Sequence, residues 1–184
     1  EVSANRFAQK NTSIRRKVCY YGHGSARFVL FGRPLSLPDW AIRSVYSMNH
    51  ELIQALYRLK KDSRLPQERK LRQHGTTSVL RHSIQVAAVS LRLARALHLR
   101  VDRKALIRGA LLHDYFLYDW HLPSSTRPPM THGFTHPQTA LNNARTDFSL
   151  SPREENIIAR HMFPLTPVPP ACREAWLVCL ADKY

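Results

Sequence analysis

The run IRGALLHDYFLYDWH, residues 107–121, begins as a buried apolar helix and is interrupted by the adjacent pair His113–Asp114. Burying an imidazole beside a carboxylate is costly unless the two are paired or bound to something. The chain holds ten histidines, more than packing needs, and several fall at matching places. His82 lies inside one expected helix, off the stripe of its apolar residues; His136 stands just before Pro137 at a helix start. His161 comes at the end of another helix and Asp182 near the end of the last. Each alone is an ordinary cap or surface residue. Taken in order, they sit on separate helices, and helices packed around one cavity can turn such side chains inward, as metal sites in helical bundles do.

The elements that must position these residues follow from hydrophobic spacing. LPDWAIRSVYSMNHELIQALYRL reads as a helix entered at Pro38–Asp39, with apolar positions 42, 45, 52, 56 and 59. After Pro66 comes a short basic helix and then QHGTTS, 73–78, a turn rich in capping residues. Thr77 or Ser78 caps the next helix, to about residue 98, in which Leu80, Ile84, Ala87, Leu91 and Ala94 keep helical spacing. A helix over 102–119 carries His113–Asp114. Residues 120–135, with their prolines and hydroxyls, read as a loop long enough to be functional or mobile. Helices follow at 137–148, 152–162 and 171–182. The second of these opens on Ser151-Pro-Arg-Glu154, an N-cap serine, a proline at the first helical position and a glutamate placed to close a capping box. The expected fold is all-α over 37–184. Residues 1–36 form a basic arm or small hairpin, from VCYY (18–21) and ARFVLF (26–31).

Composition bounds the setting. A length of 184 residues with 43% hydrophobic content suits one soluble domain with a sizeable core. No run of about 18 apolar residues predicts a membrane span, and EVSANRFAQK lacks the apolar stretch of a signal peptide. Three cysteines without CxxC spacing suit reduced thiols, so a cytoplasmic setting is expected. The charge is unusual: 28 basic against 13 acidic residues, a net +15, which attracts phosphorylated substrates or polyanions such as nucleic acid.

The pieces RHS (81–83), ALLHD (110–114), HPQTA (136–140), RHM (160–162) and LADKY (180–184) resemble the HD-domain superfamily of metal-dependent phosphohydrolases over roughly residues 74–184. Within it the chain is most similar to small bacterial proteins with HGFTHP-like and HMFPLT-like segments. The resemblance implies His82, His113, Asp114 and Asp182 as primary metal ligands, with His136 and His161 completing a second site and Asp114 placed to bridge. One or two divalent ions are implied; six N/O ligands without thiolate suit Mn, Fe, Co, Ni or Mg. Such ions would activate a water for in-line attack on phosphorus, with Asp114 as the catalytic centre of the set.

Around that set, His132 competes with His136 for the ligand position, and the HPQTA match favours His136. His132 and His121 are candidates to face a leaving group or phosphate, or are loop histidines in solvent. Lys183, beside the last ligand, is a candidate phosphate contact or a surface lysine. His74, with Gly75 and Ser78, could receive a phosphate at a helix start or simply lead into a capped helix. The leading expectation is an enzyme acting on a nucleotide or other small phosphorylated metabolite. Its alternatives are a nucleic-acid-binding protein or nuclease using the basic surface, and a non-catalytic sensor of a phosphorylated ligand.

Overall fold

The computed structural model of the chain describes residues 28–30, 33–35, 39–61, 63–122 and 131–184, with side chains from His50 onward. It divides into two units, Glu1–Ser44 and Val45–Tyr184. The first holds an antiparallel pair, β1 (Phe28–Leu30) with β2 (Arg33–Leu35). The expected strand VCYY lies outside the described residues.

The helices are α1 (Asp39–Lys60), α2 (Val79–Ala96), α3 (Arg103–Leu112), α4 (His132–Asp147), α5 (Pro152–Arg160) and α6 (Arg173–Asp182). The architecture is therefore all-α, as the apolar spacing predicts. A 3-10 turn at Leu65–Arg69 stands where a short basic helix is expected. The turn QHGTTS is a two-stranded hairpin, β3 (Arg72–His74) with β4 (Thr77–Ser78), reversed at Gly75, whose φ of +54° suits glycine. Strand pairing is thus not confined to the N-terminal region.

Side-chain caps set the starts of α2, α3 and α5. The Ser78 hydroxyl accepts from the Arg81 amide, and Asp102 accepts from the Ala105 amide. At Ser151 both halves of the capping box with Glu154 are present. Two boundaries differ from expectation. The helix expected over 102–119 ends at Leu112, and His113–Asp114 lie in the turn beyond it. Leu117, at φ +59°, takes a left-handed conformation incompatible with continuing the helix. The expected loop 120–135 gives way to helix at His132, four residues before His136.

Helix α2 packs against both α3 and α6, and α5 packs against α3, α4 and α6. Their shared core includes the fully buried Leu106, Leu111, Leu112, Ile157, Ile158 and Val178, each side chain contributing roughly 1.5–3 kcal/mol by leaving water. The buried stripe of α2 runs Val79, His82, Ser83, Val86, Ala87, Ser90 and Leu91. His82 therefore lies on the inward stripe, contrary to the sequence expectation. Among the described residues, no helix is long and apolar enough to cross a membrane.

Candidate metal centre

His113 ends α3, His161 ends α5 and Asp182 is the last residue of α6, so three helix ends meet. His82 comes from the first turn of α2 and His136 from the second turn of α4. The turn carrying His113–Asp114 is fixed from outside, because the Asn143 side-chain amide donates to the carbonyls of both Tyr115 (3.0 Å) and Phe116 (3.1 Å).

The six side chains form two groups that share one carboxylate. In the first are His82, His113, Asp114 and Asp182; in the second, Asp114, His136 and His161. The two oxygens of Asp114 divide between them. Its Oδ2 lies 3.4 Å from His113 Nε2 and 3.7 Å from His82 Nε2. Its Oδ1 lies 3.2 Å from His136 Nε2 and 3.6 Å from His161 Nε2. Asp182 Oδ1 stands 2.8 Å from His82 Nε2 and 3.4 Å from His113 Nε2. Donor atoms at about 2.1 Å from one ion and 90–110° apart are about 3.0–3.4 Å from each other, so these separations suit ligands around a cation.

Backbone carbonyls aim the imidazoles. The Nδ1 atoms of His113, His136 and His161 each lie 2.8 Å from a carbonyl, those of Ala110, His132 and Ile158 respectively. Nδ1 therefore carries hydrogen in each, and Nε2 is the ring nitrogen turned inward, where it can hold a proton or, with that proton displaced, ligate a cation. His136 Nε2 and His161 Nε2 then face each other at 2.9 Å. Nitrogens at that distance need a proton or a cation between them.

The electrostatics follow from the same contacts. Burial works against ionisation of Asp114, but the charge of His113 and the hydrogen bond from His136 override it and hold the carboxyl far below its usual range. Asp182 is held low in the same sense, against its burial, by His113 and His82. Burial alone would lower His113; Asp114 and Asp182 reverse that and push it up to about 9. Burial and the His113 charge bring His161 down to about 3, so its imidazole is neutral.

The remaining candidates lie around this cluster. His132 sits behind His136, stacked on it at 4.6 Å, stacked on Trp120 at 4.9 Å, and 2.9 Å from the Tyr118 hydroxyl. The structure thus brings His136, and not His132, against Asp114. His121 is exposed, paired with Asp119 at 3.0 Å and stacked on Trp120. His74 is exposed, its ring edge-on to His82 at 5.8 Å. The Lys183 ammonium donates to the carbonyls of His161 (2.9 Å) and Cys179 (3.1 Å), tying the end of α5 to α6 rather than reaching into the cluster.

Sequence reasoning passed over two residues beside the centre. Gln73 Nε2 donates to Asp114 Oδ2 at 2.8 Å. Glu68 is fully buried, and burial followed by the nearby Asp114 charge raises its carboxyl well above the usual range, with His113 opposing. Neither belongs to an amphipathic stripe; the only sequence signal was Gln73's place in the QHGTTS turn.

Residues 79–184 match the model of a protein family described as HD domain. No curated protein and no solved structure matches the chain.

Proposed function

The chain belongs to the HD-domain family, and from that premise and the geometry above we propose that it is a metal-dependent phosphohydrolase acting on a nucleotide or another phosphorylated metabolite. The observation that carries the reading is the facing pair His136 Nε2 and His161 Nε2, 2.9 Å apart, with Asp114 Oδ1 beside both. A cation held among them accounts for acceptor atoms gathered in this way in a core.

His82, His113, Asp114 and Asp182 would hold one ion, and Asp114, His136 and His161 a second. Nitrogen and oxygen donors without thiolate favour Mn, Fe, Co, Ni or Mg. Divalent ions bound there supply Lewis acidity toward phosphoryl oxygens and make water nucleophilic near neutral pH. The protein supplies the rest. Asp114 offers one oxygen to each group and so fixes the spacing between them. The carbonyls of Ala110, His132 and Ile158 lock three imidazoles in the ligating tautomer. Buried Tyr115 and Phe116 follow directly after Asp114 and keep bulk water from that side of the turn. Lys183 would act by holding the His161 turn in place.

The test is metal analysis of the purified protein beside a panel of phosphomonoesters and phosphodiesters with added Mn²⁺. Metal content near two ions per chain with turnover of one substrate class supports the reading. A wild-type protein that binds no divalent ion would sink it, and metal binding without turnover across the panel would favour a sensor of a phosphorylated ligand.

The net charge of +15 favours a second reading, contact with nucleic acid. It predicts an affinity whose logarithm falls with log salt at about −0.9 per neutralised phosphate on duplex DNA. Tight binding at physiological salt, lost on deleting residues 1–33, would place the basic arm at the centre of the function.

A further inference from the structure

The segment just before α2 holds buried side-chain oxygens that nothing among the described residues satisfies. Both carboxyl oxygens of Glu68 are buried without a hydrogen-bond partner, and so is Gln73 Oε1. The orientation of the Gln73 amide is dictated by its neighbour: its nitrogen lies 2.8 Å from Asp114 Oδ2, and a carbonyl turned toward that carboxylate would be repelled. Orphaned buried acceptors destabilise a fold, and most are paired in native cores. Here three occur within six residues of chain; Gln73 touches the carboxylate shared by the two cation-binding groups, and Glu68 lies close enough to feel its charge and that of His113. Their common need is for hydrogen-bond partners, and the partners a cation centre brings with it are water molecules, which both donate and accept.

We propose that Glu68 and Gln73 are the outer layer of the metal centre: the Gln73 amide orients Asp114 Oδ2, while Glu68 and Gln73 Oε1 accept hydrogens from water in the site. The proposal rests on the metal-binding reading above and adds positioning residues to it. Outer partners of this kind fix the ligand's direction and basicity, and removing one typically lowers metal affinity about 10–100-fold.

The two residues can be separated from ordinary packing because their effect on the metal-free protein is opposite in sign to their effect on binding. In the full-length chain stripped of metal, Glu68→Met removes a carboxyl without a partner and is expected to raise the thermal midpoint by about 2–4 °C. The same variant, titrated with Mn²⁺ and followed by the electron paramagnetic resonance of the free ion, is expected to bind about 10–100-fold more weakly. Glu68→Gln keeps one acceptor oxygen and should lose less. Gln73→Met, which keeps the shape without the donor, should lose affinity by a similar factor to Glu68→Met. Unchanged Mn²⁺ affinity in both methionine variants would overturn the proposal while leaving the metal centre intact. A Glu68→Met protein less stable than wild type without metal would also overturn it, by making Glu68 a packing residue. If the wild type itself takes up no Mn²⁺, the proposal falls together with the reading it rests on.

Discussion

Two clusters of polar groups, one half-buried and one buried, adjoin the turn after α3, and they are built on opposite terms. In one, Asp147 receives the Arg64 guanidinium at 2.9 and 3.0 Å and the Tyr115 hydroxyl at 2.6 Å. Its carboxyl is held below the usual range despite burial, through the hydrogen bonds from Arg64 and Tyr115. In the other, around Asp114, two imidazole nitrogens face one another, and among the described residues His113 Nε2 makes no hydrogen bond, only 3.4 Å contacts with Asp114 and Asp182. The first cluster is closed on itself and acts as a fastening. The second is complete only with something added. The fastening serves the open cluster, since Tyr115 follows Asp114 directly in the chain.

The sharpest way to break this comparison is to remove the shared carboxylate. Asp114→Ala should abolish Mn²⁺-dependent phosphoester hydrolysis and leave the helical circular dichroism largely unchanged, because folding rests on the apolar stripes. Equal turnover by wild type and variant would refute the role given to Asp114. The closed cluster should respond in the reverse pattern. Arg64→Ala takes two hydrogen bonds from the half-buried Asp147 and, since the guanidinium is partly exposed, should cost about 0.5–1.5 kcal/mol in urea unfolding, with Mn²⁺ affinity changed far less than in the Asp114 variant.

A smaller effect tests whether the frame between the clusters matters. A Cβ added at Gly109 would stand 2.5 Å from Ile157 Cδ1 and 2.9 Å from Ile157 Cβ, so α3 and α5 touch there with no room to spare. Gly109→Ala should cost about 1–3 kcal/mol of stability. It should also weaken Mn²⁺ binding, because those helices end in His113 and His161. A calorimetric signal is the smallest. His113, raised to about 9, carries a proton at pH 7 that ligation must displace, whereas His161, lowered to about 3, has none to give. Mn²⁺ binding at pH 7 should release about one proton from this pair, seen as a dependence of the binding heat on buffer ionisation enthalpy. Affinity should fall as pH drops below 9 and level off above it.

The sequence made the centre legible where a polar residue broke an apolar pattern. His113–Asp114 stood out in a hydrophobic run, and Ser151 to Glu154 spelled a helix start that the structure keeps. Where tertiary contacts decide, the pattern was silent or misleading. Residues 113–119 are apolar enough to read as helix, yet the left-handed Leu117 and the Asn143 amide hold them as a turn. His132 and His136 are four apart on one helix, so spacing alone could not choose between them, and what separates them is where α4 begins. Glu68 lies among arginines and lysines and reads as a solvated charge. Nothing local signals that its carboxylate is buried.

The convergence of three helix ends has a kinetic consequence. The C-terminal ends of α3, α5 and α6 turn the negative poles of their helix dipoles this way, offset in part where Lys183 binds the His161 and Cys179 carbonyls, alongside the carboxylates of Asp114 and Asp182. Far from the centre, the +15 chain draws anions inward; within a few ångströms the local field favours cations. A phosphate can settle at the centre only after a divalent ion has reversed that local sign. For the phosphohydrolase proposed above, binding would therefore be ordered, cation first and phosphoester second, with the surface charge speeding the arrival of a substrate that the bare centre would turn away.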